Sequence, residues 1–177
     1  MKLGIFVGTF NPVHKGHIYL VNELLKQNYF DKIFVVPTLS YWNKINIVPL
    51  KHRINMLKFY ETDNIIIDTE NNTKEYTYQI MDIYHDNYPN DIIKLIIGAD
   101  NLEKFNKWKR YKHILDYGLV VIARDKINLE KNYKNIDIAS INEYNISSTE
   151  VRLDKEKQKK YLDKKVLKYI KENNLYD

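Results

Sequence analysis

"KLGIFVGTFNPVHKGHIYLVNELLKQ", residues 2–27, decides the fold. An apolar run ends at Gly8, turns through Asn11 and Pro12, and passes into an apolar-periodic helical stretch in which Ile18, Val21, Leu24 and Leu25 share one face. The same alternation then repeats. "KIFVVP" precedes "VPLKHRINMLKFYE", "NIIIDT" precedes "YTYQIMDIYHDNY", and "IIKLIIGA" precedes "NLEKFNKW" and "YKHILDY", before a last run, "LVVIAR". Continuous Val, Ile, Leu and Phe bounded by polar loops is the pattern of strands buried on both faces, with the intervening helices as cover. The chain is therefore expected to be α/β: a Rossmann-like open parallel sheet with helices on both faces and a helical C-terminal segment over about residues 146–177. In such a sheet, ligands gather beyond the carboxyl ends of the strands where the strand order reverses. The Gly8 turn lies at such an end.

The remaining composition narrows the classes. At 177 residues the chain fits one domain, and 44% hydrophobic with 29% charged residues is an ordinary globular balance. The absence of cysteine removes disulfides, thiolate zinc sites and cysteine nucleophiles together. The apolar start "LGIFVGTF" is too short and too soon broken for a signal peptide or membrane span, so a cytoplasmic protein with no membrane partner is expected. A net charge of +5 suits an anionic ligand or non-specific attraction to nucleic acid, but no specific nucleic-acid signature is present. Much of the excess lies in "KEKQKKYLDKKVLKYIKE", where Leu162, Val166, Tyr169 and Ile170 recur at helical spacing and lysines fill a solvated face. Between Asp125 and Tyr144 the pattern weakens to a loop with one short strand around Ile136 to Ala139. It leads into "NISSTEVR", where Asn145 or Ser147 caps a short helix and Glu150 stands three residues after Ser147, as a capping box requires.

Chemically, "GTFNPVHKGH" (8–17) delivers His14 and His17 to the start of a helix, where unpaired N–H groups and the helix dipole favour an anion. Gly8 lets a ligand approach the main chain, and Gly16 allows tight packing or an unusual dihedral. Phosphate is the natural guest, with two imidazoles to donate hydrogen bonds and a bound polyphosphate to favour their protonated forms. A metal held by the pair would need one or two further ligands from His52, His85, His113 or carboxylates, so no metal site is expected there. Neither G-x-G-x-x-G nor G-x-x-x-x-G-K-[ST] occurs, which lowers hydride transfer and P-loop hydrolysis together.

Residues 8–17 resemble the G-x-F-D-P-x-H-x-G-H signature of a nucleotidyltransferase superfamily, and "ISSTEVR" (146–152) resembles its second signature, I-S-S-T-x-I-R. Within that superfamily the chain looks most like the bacterial nicotinate-nucleotide adenylyltransferases, on "EYTYQIM", "LIIGADNLEKFNKWKRYKHIL" and the end "VLKYIKENNLY". Three positions depart from the pattern: Val7 stands for a glycine, Asn11 for an aspartate, and "LDKEKQKKYLDKK" for a loop with glycine and proline.

The resemblance implies adenylyl transfer from ATP, bound with magnesium, to nicotinate mononucleotide, giving deamido-NAD and pyrophosphate. His14, His17, Lys44 and Arg152 would act on the phosphates. Gly8, Thr9, Phe10, Gly16, Gly98, Asp100, Ile146, Ser147, Ser148 and Thr149 would line the ATP site, with Asp100 toward the ribose. Thr77, Trp108 and Arg124 would meet the acceptor. Each also has a structural role open to it: Trp108 as a half-buried core aromatic, Asp100 as a helix cap, Thr77 as a helix-start residue, Arg124 as a surface charge. Nicotinamide mononucleotide or phosphopantetheine as acceptor, and a basic nucleic-acid-binding module with no catalysis, remain the competing functions. The sequence leaves the oligomeric state open, a homodimer included.

Overall fold

Each apolar run forms a strand with its side chains buried on both faces. The computed structural model describes residues 1–39, 46–123, 134–142 and 146–176. Among these, six strands build one parallel sheet: β1 (Lys2–Gly8), β2 (Lys32–Pro37), β3 (Ile65–Ile67), β4 (Ile92–Gly98), β5 (Leu119–Ala123) and β6 (Ile136–Ser140). Their order is β3-β2-β1-β4-β5-β6, so the direction of winding reverses between β1 and β4. This is the expected switch point. The strands end nearly level there, Gly8 pairing with Pro37 and Gly98 with Ile122.

Period-two alternation divides the strand side chains between two cores. Leu3, Ile5, Leu95, Ile97, Leu119 and Val121 face one layer, formed by α3 (Thr77–Asn87), α4 (Ala99–Glu103) and α5 (Tyr111–Tyr117). Ile33, Val35, Ile96, Val120 and Ile122 face the other, built from α1 (Lys15–Lys26), α2 (Leu50–Lys58) and the C-terminal helices α6 (Ser148–Leu153), α7 (Lys155–Tyr161) and α8 (Lys164–Glu172). The C-terminal helices thus complete the core beside α1 and α2. No helix among the described residues is long and apolar enough to cross a membrane.

Three local expectations are corrected. The lysine-rich pattern is two helices rather than one: Leu162 is extended, and Asp163 caps α8 by accepting a hydrogen bond from the Lys165 N–H at 2.9 Å. Leu162, Val166 and Ile170 still reach the same core, which is why the spacing looked continuous. "NLEKFNKW" is likewise broken, α4 ending before Lys104 and a 3-10 turn following over Phe105–Lys107, so that Leu102 and Phe105 both enter the core. The helix cap at α4 is Gly98; Asp100 lies within the first turn. The segment that replaces the family's glycine and proline loop opens on Asp154, whose carboxylate accepts from the N–H groups of Glu156 and Lys157 and starts α7.

Candidate active site

Beyond the ends of β1, β4 and β5 lies a cavity of about 750 Å³, within the range of roughly 300–1,000 Å³ usual for small-molecule sites. The segments around Gly8 and Ser147, about 140 positions apart in sequence, both wall it. Direct hydrogen bonds hold these walls together. The Ser148 hydroxyl donates to the Pro12 carbonyl at 3.0 Å, and Arg152 Nη1 donates to the Asn11 carbonyl at 2.5 Å. Arg152 Nη2 also donates to Thr149 Oγ1 at 3.1 Å, which fixes the guanidinium plane at the cavity wall.

The loop between β1 and α1 owes its shape to Phe10. That residue takes a left-handed φ of 46° and folds its ring back over Gly8, where a Cβ would stand 2.9 Å from the ring. Gly8 therefore makes room for Phe10 while also lining the cavity. The Phe10 ring packs edge-on against His17 at 5.2 Å. Gly16 lines the cavity as the second residue of α1 and has no left-handed φ, so the unusual dihedral allowed for it is not used. At Gly98 a Cβ would lie 2.6 Å from Asp100 Oδ1, so this glycine lets the Asp100 carboxylate fold back over the end of β4 at the cavity rim.

His14 and His17 stack with ring centres 3.7 Å apart. The His14 backbone N–H donates to His17 Nδ1 at 3.2 Å, which leaves the proton of a neutral His17 ring on Nε2. Both ring nitrogens of His14 are buried with no hydrogen-bond partner among the described residues. Burial lowers the His14 pKa to about 4, and burial together with the adjacent His14 holds His17 well below the usual histidine range. The protein alone therefore keeps the pair neutral. Buried polar atoms without partners are costly, and an oxyanion in the cavity could accept from the N–H of the His14 ring.

The depressed value has a consequence for stability. The unfolded chain takes up a proton at His14 near pH 6.5 and the folded chain only near pH 4, so the stability due to a neutral His14 is complete above pH 6.5 and is lost as pH falls toward 4. That loss amounts to about 3 kcal/mol. Urea unfolding across this window should show a shallower pH slope in His14→Asn than in the unmodified protein; equal slopes would contradict the assignment.

Of the residues named from sequence, Gly8, Thr9, Phe10, His14, Gly16, His17, Gly98, Asp100, Ile146, Ser147, Ser148, Thr149 and Arg152 all line this one cavity. The hydroxyls of the second segment are partly committed. Ser147 caps α6 in a reciprocal pair with Glu150, and Ser148 binds Pro12, which leaves backbone groups and Thr149 to face a ligand. Thr77, the first residue of α3, and Trp108, half-buried against Phe105, do not line the cavity. Their segments are nonetheless neighbours, since the Arg110 guanidinium sits 4.9 Å from the Tyr78 ring centre and Lys109 Nζ 6.0 Å from that of Tyr76. Lys44 and Arg124 lie outside the described residues. The structure adds Asn46 and Ile47 to the cavity wall and, beneath it, Arg53. The sequence held one signal for Arg53: it falls on the apolar face of α2 with Met56 and Leu57.

A parallel sheet with a cavity at its switch point, walled by these two segments, has the architecture in which open α/β folds bind nucleotides. The chain belongs to the cytidylyltransferase-like family, which matches residues 5–154, and is a nucleotidyltransferase. Among its relatives, nicotinate-nucleotide adenylyltransferase of Bacillus subtilis is 34% identical over 188 residues, covering 99% of this chain and 98% of the relative. A probable nicotinate-nucleotide adenylyltransferase of Borrelia garinii is 35% identical over 188 residues, covering 99% and 95%. The fold is shared with a Plasmodium falciparum nicotinic acid mononucleotide adenylyltransferase solved in complex with NaAD, with a TM-score of 0.84, 20% identity and coverage of 99% and 97%.

Proposed function

We propose that this chain transfers the adenylyl group of magnesium-ATP to nicotinate mononucleotide in the cytoplasm, giving deamido-NAD and pyrophosphate. The observation that supports transfer at the α-phosphorus is the stacked histidine pair, with both ring nitrogens of His14 unpartnered, lining one cavity with Arg152. The choice of acceptor draws on the relatives, which carry that activity in their names over nearly their full length.

In this mechanism an oxygen of the acceptor phosphate attacks the α-phosphorus of ATP. A new P–O–P bond forms, the bond to the bridging oxygen of the β-phosphate breaks, and pyrophosphate departs with that electron pair. The nucleophile is already ionised near neutral pH, so no general base is required, and catalysis rests on in-line positioning and charge stabilisation. His17 Nε2 and His14 donate to phosphate oxygens, and the triphosphate's own charge favours protonation of the rings once it is bound. Arg152 meets the same phosphates from the second segment. Magnesium comes with the nucleotide substrate, carried on its phosphates. Lys44 adds a further cation to the triphosphate, and Asp100 meets the ribose. Thr77, Trp108 and Arg124 receive the acceptor.

The test is pyrophosphate release from magnesium-ATP with a panel of acceptors: nicotinate mononucleotide, nicotinamide mononucleotide, phosphopantetheine and glycerol 3-phosphate. Release should be fastest with nicotinate mononucleotide. Faster release with another member would reassign the acceptor, and none with any of them would remove the catalytic proposal.

A further inference from the structure

Asn11 stands where the resembled signature has aspartate, and its surroundings call for an amide. Its Nδ2 donates to the Asn46 carbonyl at 3.0 Å, which a carboxylate cannot do. Its Oδ1 accepts from the Val48 N–H at 3.2 Å and from the Tyr176 hydroxyl at 2.8 Å. Its own carbonyl accepts from Arg152. One buried side chain thus joins the phosphate-facing loop to the 46–48 segment and to the C-terminal tail. Arg53 reinforces the same junction from below, donating to the carbonyls of Thr9, Thr38 and Val48 at 2.6, 2.7 and 3.2 Å.

The tail is built to reach this point. Tyr176 takes a left-handed φ of 63°, a conformation that tyrosine adopts only at a cost. The preceding residue, Leu175, is buried in the α1 and α2 core. Tyr169 on α8 accepts a hydrogen bond from Asn55 Nδ2 of α2 at 2.9 Å, so the helix that precedes the tail is itself pinned. Burial raises the Tyr176 hydroxyl well above its ordinary pKa, which keeps it a donor. Immediately before Asn11, the same loop carries the strained Phe10, and such a backbone persists only where its surroundings over-determine it.

We infer that Tyr176 and Asn11 form a positioning pair that sets the ATP phosphate loop from the C-terminal tail, Tyr176 acting through the Asn11 amide. The inference rests on the ATP site proposed above and concerns residues that act by positioning. It is tested on the full chain with Tyr176→Phe, Asn11→Ala and the double variant. The readouts are kcat, the KM values for both substrates, the thermal midpoint, and calorimetric binding of a non-hydrolysable ATP analogue.

Tyr176→Phe should lower kcat/KM for ATP about tenfold and weaken analogue binding to match, with the KM for the acceptor unchanged and little loss of thermal midpoint, because the ring stays packed. Asn11→Ala should lose more, and the double variant should be no worse than Asn11→Ala alone. Additive losses in the double variant would overturn the coupling. Unchanged ATP parameters in Tyr176→Phe, beside an unmodified chain that does bind the analogue, would overturn the proposal alone. Failure of the unmodified chain to bind it would remove the ATP site and the proposal together.

Discussion

Replacing His17 with alanine lowers turnover by about 100-fold or more, the scale expected when one preorganised donor to developing charge is lost. The expectation rests on tautomer and placement. With Nδ1 occupied by the His14 N–H, the neutral ring has its proton on Nε2, and Phe10 packs edge-on against the ring at 5.2 Å. The ring is therefore held in one orientation before substrate arrives. Alanine removes this donor and the stacking partner of His14 together, so kcat should fall much more than the affinity for ATP. Steady-state pyrophosphate release by the folded variant is the measurement. Near-normal turnover would remove His17 from the mechanism.

Arg152→Ala carries a comparable expected loss, about 100-fold in kcat/KM for ATP. It removes a cation from the cavity that the histidines line and also cuts the hydrogen bond from α6 to the Asn11 carbonyl, so both walls of the site lose definition. Arg152→Lys separates the two effects. Lysine keeps the charge but lacks the planar fork that reaches Asn11 and Thr149 at once, and should recover only part of the loss. Full recovery in the lysine variant would mean that charge alone matters, and unimpaired kinetics in Arg152→Ala would take the second segment out of catalysis.

The sheet was legible because strands covered on both faces write themselves as unbroken apolar runs, and each helix between them keeps a clear period. Helix breaks were less legible. Asp163 stops α7 from merging with α8 by capping, yet Leu162, Val166 and Ile170 reach one core across the break, so periodicity passes through it. The two cavity walls were legible as short segments rich in glycine, histidine and hydroxyl residues. The use made of each residue was not. Gly8 serves Phe10, and Gly98 serves Asp100, because the need for a glycine depends on which side chain folds back over it. Asn11 and Tyr176 lie 165 positions apart, and only the folded chain shows that one accepts a hydrogen bond from the other. Arg53 gave a local signal, a cation on an apolar helix face, but its three carbonyl partners come from two loops, the one after β1 and the one after β2.

The central claim, attack at the α-phosphorus within this cavity, is tested most directly by following all phosphorus species by NMR as the purified chain turns over magnesium-ATP and nicotinate mononucleotide. The account predicts pyrophosphate and a dinucleotide diphosphate signal appearing in equal amounts, both lost in His17→Ala. Formation of ADP and orthophosphate, or persistence of both predicted products in that variant, would contradict it.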